Sequence, residues 1–471
     1  MSSRRLPFVI TLVVLLVLAL VAGNASARSS SQRSNAATPT VGASGVWFCP
    51  GLPASLQHGL GRVTVANLST TNAAVTVTDL SDAGNATTVT FSVAARTTVT
   101  KARDTLGAPG ALTIEAFGGS VVVEEGIDGR AAGASAPCAT ATQSRQFFAA
   151  GSTLRGIHQS VIVENPYASD AKINLTLRTN VGVQQPDAFQ GYDISRRSRV
   201  VIPVDTLAVR DARVAVEVDA VSGSVVATQT LEYTADAGVT GVTVALGAPA
   251  PSDHWTFPGN VVLAHTNAWV ALTNVGTQDA LVDVQAAPDQ KQTVAPAALT
   301  IAPDAVTWVQ LGHCGGQDAN SCLAVPEGDG YVLTAHAEQG GQIVAQILTR
   351  GTDTRAPVGA DAPMGLVDPS HRVAFAISRV RAEQSTTLSV FNPGSVRTTF
   401  TVTLVHDGRA ERRSELQAVG LAPGREITMA VAGTGKHADA AVIVDADQPV
   451  FVLRAIHTST NVARSGGIVL G

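Results

Sequence analysis

Cysteine, histidine and tryptophan are the residues of this 471-residue chain whose types and spacing could do chemistry. Cys49 and Cys138 flank a stretch of about ninety residues, and Cys314 and Cys322 share the segment HCGGQDANSC. An even number of thiols behind an export signal predicts disulfides. The simplest pairing ties Cys49 to Cys138 at the two ends of one folded unit and closes a short Cys314–Cys322 loop. A zinc site using His313, Cys314 and Cys322 is the alternative, although two thiols and one imidazole fall short of the usual four-ligand set. The other histidines (His58, His158, His254, His265, His336, His371, His406, His437, His457) are scattered, without an H-E-x-x-H or a ligand-spaced pair on one strand. The sequence contains no G-x-S-x-G elbow, no G-x-x-x-x-G-K and no G-x-G-x-x-G. We therefore expect no catalytic, cofactor-binding or metal-binding residues, and no cofactor.

Aromatic side chains are the remaining candidates. Trp47 and Trp255 fall in two similar boxes, WFCPG and WTFPG. They could form an exposed, sugar-stacking surface or plug the end of a sheet sandwich. Trp269 and Trp308 lie on apparent strands and are expected in a core.

The elements that position these residues are written as a repeat. VTVANLS, VIVENPY, VALTNVG and LSVFNPG place Asn67, Asn165, Asn274 and Asn392 at similar points in four successive stretches. An aromatic opening precedes each asparagine: Trp47-Phe48, Phe147-Phe148, Trp255-Thr256-Phe257, and a weaker one at Phe375. A β-branched polar run follows (TTVTKA, SRVVIPV, AVTWVQL, EITMAV), then two apolar runs around a short turn, as in ALTIEAFGGSVVVEEGI and AVIVDADQPVFVLRAI. Alternation at period two, as at Ile173, Leu175 and Leu177, puts one face on a core and the other in water. β-Branched residues suit that pleated surface. Repetition at this period means tandem units, each long enough to bury its own core. Seven strands per hundred residues is the arithmetic of an immunoglobulin-like sandwich. The expected fold is all-β: four such modules at 46–140, 145–250, 253–350 and 371–471, with a linker at 351–370. The recurring asparagines are read as turn residues, because Asn at a strand end hydrogen-bonds its own turn.

Arg4 and Arg5, the apolar run 6–22 and Ala25-Ser26-Ala27 read as a secretory signal at 1–27, followed by a Ser/Ala/Thr-rich tether at 28–45. An uncleaved anchor, the only expected membrane contact, is the alternative. Both place the repeats outside the cytoplasm, secreted or membrane-anchored. Charged residues are 15% and the net charge is −5, with no basic cluster, so no nucleic-acid partner is expected.

Trp47-Phe48-Cys49-Pro50-Gly51 after an export signal, followed by tandem Asn turns and closing strand pairs, resembles an uncharacterised actinobacterial envelope family known as a domain of unknown function. The resemblance runs from Val46 to Gly471 and implies a cell-envelope location; it supplies no catalytic residue or ligand. The leading functional expectation is a non-catalytic scaffold, spacer or interaction module at the envelope. A glycan- or peptidoglycan-binding protein and a divergent hydrolase are the alternatives. The partner, a cell-wall glycan or another envelope protein, is left open.

Overall fold

The computed structural model describes residues 40–41, 44–57, 61–80, 86–107, 110–128, 133–288, 293–315, 320–356, 358–378, 385–432, 439–458 and 461–470. The expected signal at 1–27 and most of the 28–45 tether lie outside them. Within these residues the chain is all-β, with a single one-turn α-helix at Ala54–Gln57. No helix among them is long and apolar enough to cross a membrane.

Strands gather into pairs of facing antiparallel sheets, one pair per repeat. In the second repeat, Arg145–Phe148, Val214–Ser222, Ala171–Thr179 and Gly182–Gln184 form one sheet, with Tyr192–Ile194 also on Ala171–Thr179. Ser198–Pro203, Ile157–Asn165, Val226–Tyr233 and Gly241–Leu246 form the other. Inward residues of the two sheets, Val161 and Val163 on one side and Ile173, Leu175 and Leu177 on the other, meet in one buried cluster. The first and third repeats follow the same order, the third with one added strand, Cys322–Leu323, parallel to Val306–Leu311. In the fourth, one 19-residue strand, Asp439–His457, serves both sheets.

That long strand shows what the closing strand pairs do. In each repeat the two closing runs pair with different partners. Val214–Ser222 pairs with Ala171–Thr179, whereas Val226–Tyr233 pairs with Ile157–Asn165. The short turn carries the chain across the sandwich from one sheet to the other. Both runs are therefore central strands, which accounts for their continuous apolar character.

A further strand per repeat was not anticipated. Gly133–Pro137, Gly241–Leu246, Ala360–Asp361 and Val462–Gly466 each pair with the second closing strand of their own repeat. Each of these four strands also packs against two of the others, so the four sheet pairs meet around a common hub. Asn461 ties the hub together: its Nδ2 donates to Gly133 O, and its Oδ1 accepts from the Gly359 and Ala360 amides. The segment 351–370 is accordingly not a free linker, since Val358, Ala360 and Ala362 are buried in the hub.

The ring also closes along its flanks. Arg199 of the second repeat donates to Pro50 O and Leu52 O of the first. Gln346 of the third accepts from the Ala150 amide of the second, and Glu426 of the fourth accepts from the Gly259 amide of the third. Arg454 of the fourth meets Glu124 of the first at 2.7 Å, both fully buried.

Candidate functional site: a tryptophan–arginine cleft

Trp269 lies on Thr266–Asn274 and Trp308 on the adjacent strand Val306–Leu311, with Trp308 opposite Ala271. They are diagonal neighbours on one face, a spacing that long aromatic side chains span. Their ring centroids are 5.9 Å apart and their planes are tilted by 45°. Ala268, Val270 and Val309, which alternate with them, fill the sandwich core, so the indoles project to the other side of the sheet. There the second repeat covers them. Between the two repeats lies a cavity of about 200 Å³, lined by Ser152, Ile157, Arg213 and Tyr233 from one side and Trp269, Trp308, Leu348 and Arg350 from the other.

Ser152 Oγ is bonded to Asp211 O, but other polar groups of this cleft are unspent. The Arg350 guanidinium sits 5.7 Å from the Trp269 ring centroid and that of Arg213 sits 6.0 Å from Trp308. Among the described residues neither guanidinium has an acidic partner. Tyr233 is 2% exposed, yet its hydroxyl has no hydrogen-bond partner among the described residues, nor does the buried Trp308 Nε1. Burial pushes the Tyr233 phenol well above its ordinary range, so it is a neutral donor. An unpaired buried donor costs about 1–3 kcal/mol, and both of these belong to residues that line the cavity.

The equivalent positions of the fourth repeat line a second cleft, of about 460 Å³, against the third. Thr387 and Thr428 stand where Trp269 and Trp308 stand, and His457 stands where Arg350 stands. Its floor is the ion pair of Arg464 with Asp361; Arg464 also donates to Asn260 Oδ1 and, at 3.2 Å, to Thr349 Oγ1. Burial raises the pKa of Asp361 against the pull of Arg464. Burial, and then the Arg464 charge, lower that of His457. This cleft's charged floor is already paired; that of the tryptophan cleft is not.

The sequence-based candidates fall elsewhere. Trp47 and Trp255 are each 1% exposed, which overturns the exposed aromatic surface. They occupy inward positions of the opening strands, opposite Ile114 and Ala335, and Trp255 Nε1 donates to Ile343 O at 2.9 Å. The expectation for Trp269 and Trp308 is reversed as well: both are partly exposed.

The four asparagines are buried and make one recurring set of bonds. Nδ2 of Asn67, Asn165, Asn274 and Asn392 donates to the carbonyl four residues on, at Thr71, Ser169, Gln278 and Val396. It also reaches the strand across the loop, at Val93, Ile194, Ile301 and Leu421. Oδ1 accepts the amide two residues on, at Ser69, Tyr167, Gly276 and Gly394. The side chains are saturated within the fold.

Both disulfides form as paired above, Cys49–Cys138 and Cys314–Cys322. The second spends the thiols a zinc site with His313 would need. Cys49, Glu125 and Cys138 converge closely enough to suggest a metal, but their sulfurs are bonded to each other. Gly51 beside them has φ 86°, and a Cβ there would fall 2.6 Å from Arg103 Nη2 and 2.7 Å from Arg199 Nη1. The WFCPG box thus builds the joint between the first two repeats. Glu125 accepts from the Gly51 amide and pairs with Arg103 at 3.2 Å. Burial, reinforced by the Glu125 charge, drives the Glu164 carboxyl well above its usual range.

Residues 113–335 match a family of unknown function, DUF5719. The match takes in Arg213, Tyr233, Trp269 and Trp308. No curated protein matches the chain. Among solved structures, Thermotoga maritima 1070 is similar over 22% of this chain and 93% of its own, at 16% identity and a TM-score of 0.20. A tetra-tandem repeat from the extending region of a large adhesion protein covers 90% of this chain and 99% of its own, at 12% identity and a TM-score of 0.10. The Streptomyces avermitilis alpha-L-rhamnosidase complexed with L-rhamnose covers 91% and 57%, at 11% and 0.11. At such TM-scores these likenesses carry no weight for fold or activity.

Proposed function

We propose that this chain is an exported, non-catalytic glycan-binding protein of the cell envelope, built of four immunoglobulin-like modules closed into a ring. Two disulfides fit an oxidising, extracytoplasmic environment. The hub strands favour a compact binding scaffold over an extended spacer. The observation that carries the reading is the Trp269–Trp308 cleft. Its partly exposed indoles offer apolar surface to the C–H side of a sugar ring, beside the polar guanidiniums of Arg213 and Arg350. The test is co-sedimentation of the purified chain with insoluble cell-wall glycan. Trp269→Ala and Trp308→Ala should each release the protein into the supernatant, whereas wild-type retention by both would sink the reading.

A further inference from the structure

Building on the glycan-binding reading, we infer that the tryptophan cleft selects an anionic sugar, a pyranose bearing a carboxylate. Two guanidiniums reach one small cavity, no carboxylate lines it, and neither cation has an acidic partner among the described residues. A neutral sugar gains little from either cation, the half-buried Arg350 or the exposed Arg213, whereas a carboxylate accepts two parallel N–H bonds from a guanidinium fork. The size of the cavity, about 200 Å³, lies below the ~300–1,000 Å³ of drug-sized ligands and admits one ring. The remaining contacts define the rest of that ring. Indoles tilted at 45° form a wedge, not a parallel slot, and suit a puckered C–H face better than a flat aromatic. The second cleft lacks this chemistry, because its cation is spent on Asp361.

The experiment is titration of the purified chain, followed by tryptophan fluorescence, with glucuronate, glucose, glucose 6-phosphate and benzoate as probes. Trp47 and Trp255 are buried and supply a constant background. Glucuronate should bind about tenfold or more tighter than glucose and weaken with added salt. Arg213→Gln and Arg350→Gln should each erase most of that preference. Equal binding of glucose, or benzoate as tight as glucuronate, would overturn the acidic-sugar inference; tighter glucose 6-phosphate would replace the carboxylate with a phosphate and overturn it too. If Trp269→Ala still abolishes wall binding in those cases, the glycan reading stands alone. If no sugar and no wall material binds, both fall.

Discussion

Arg454→Met should open the ring at its last joint. The Arg454 side chain is fully buried, 2.7 Å from the Glu124 carboxylate and 2.7 Å from Ala376 O, with Nη2 2.8 Å from Ser465 Oγ and the guanidinium over the Phe375 ring. Glu124 in turn accepts from Ser135 Oγ at 2.8 Å and from the Ala376 amide at 2.9 Å. Removing the cation strands a carboxylate among apolar strands with two neutral donors. Breaking one side of a buried pair costs about 3–5 kcal/mol. For a unit of about a hundred residues, that moves the first melting transition down by roughly 12 °C or more, at ~4–8 °C per kcal/mol. The double variant Glu124→Gln/Arg454→Met removes the stranded charge and should recover all but about 2 kcal/mol of the loss. Near-UV circular dichroism gives the melting points, and small-angle scattering should report a larger radius of gyration for the single variant. A single variant melting within about 2 °C of wild type, or a double variant no better than the single, would refute the idea that this pair holds the first and fourth repeats together.

Asn165→Ala removes the donor shared by Ser169 O, Ile194 O and Ser195 O and should cost about 2–3 kcal/mol in urea unfolding; Asn165→Asp, which cannot donate, should not rescue it. In the hub, a Cβ on Gly241 would fall 2.6 Å from Ala360 N and 2.9 Å from Gly359 C, so Gly241→Ala should destabilise by about 1–3 kcal/mol, because main chain cannot step aside as a side chain can. Glu164→Gln bears on pH. A carboxyl whose folded pKa is raised lends stability below its unfolded value, near ~4.3, and loses it as pH rises through the folded value, so the amide should be more stable than wild type at pH ~8 and gain little at pH ~4. A parallel pH dependence of the two unfolding midpoints would contradict this.

Period-two alternation and the repeated landmarks made the strands and their order legible, down to Ile157–Asn165 and Ala171–Thr179. Alternation says which residues share a face; it does not say which sheet a run joins. The closing runs read as two strands around a turn, without showing that the turn crosses the sandwich. The hub strands escaped notice for a related reason. Gly133–Pro137 and Ala360–Asp361 are short and carry only small residues, with one polar residue each and a proline in the first, a composition that resembles a linker until the hub strands of two neighbouring repeats pack on it. The parallel strings GASAP and GADAP were the available signal. Of the two readings of Trp47 and Trp255, an exposed surface or a packed plug, the packed one holds, because strand pairing turns each indole inward.

The repeat itself locates the candidate site once its copies are laid over one another by register. Five residues before the turn asparagine stand Arg62, Ser160, Trp269 and Thr387. Opposite the residue three before it stand Thr100, Val201, Trp308 and Thr428. Seven before it, the cross-strand partner is Arg350 in the third copy and His457 in the fourth. Only the third copy carries indoles at the first two of these positions, and they face away from its own core, where folding of that repeat alone demands nothing of them. A fold requirement would have left its mark on every copy, as it did at the asparagines. The lining is completed by Tyr233 and Arg213 of the preceding repeat, so the cleft exists only when the repeats are docked. Closing the ring brings together what no single module contains, and the departures from the repeat, more than the repeat, mark where recognition is built.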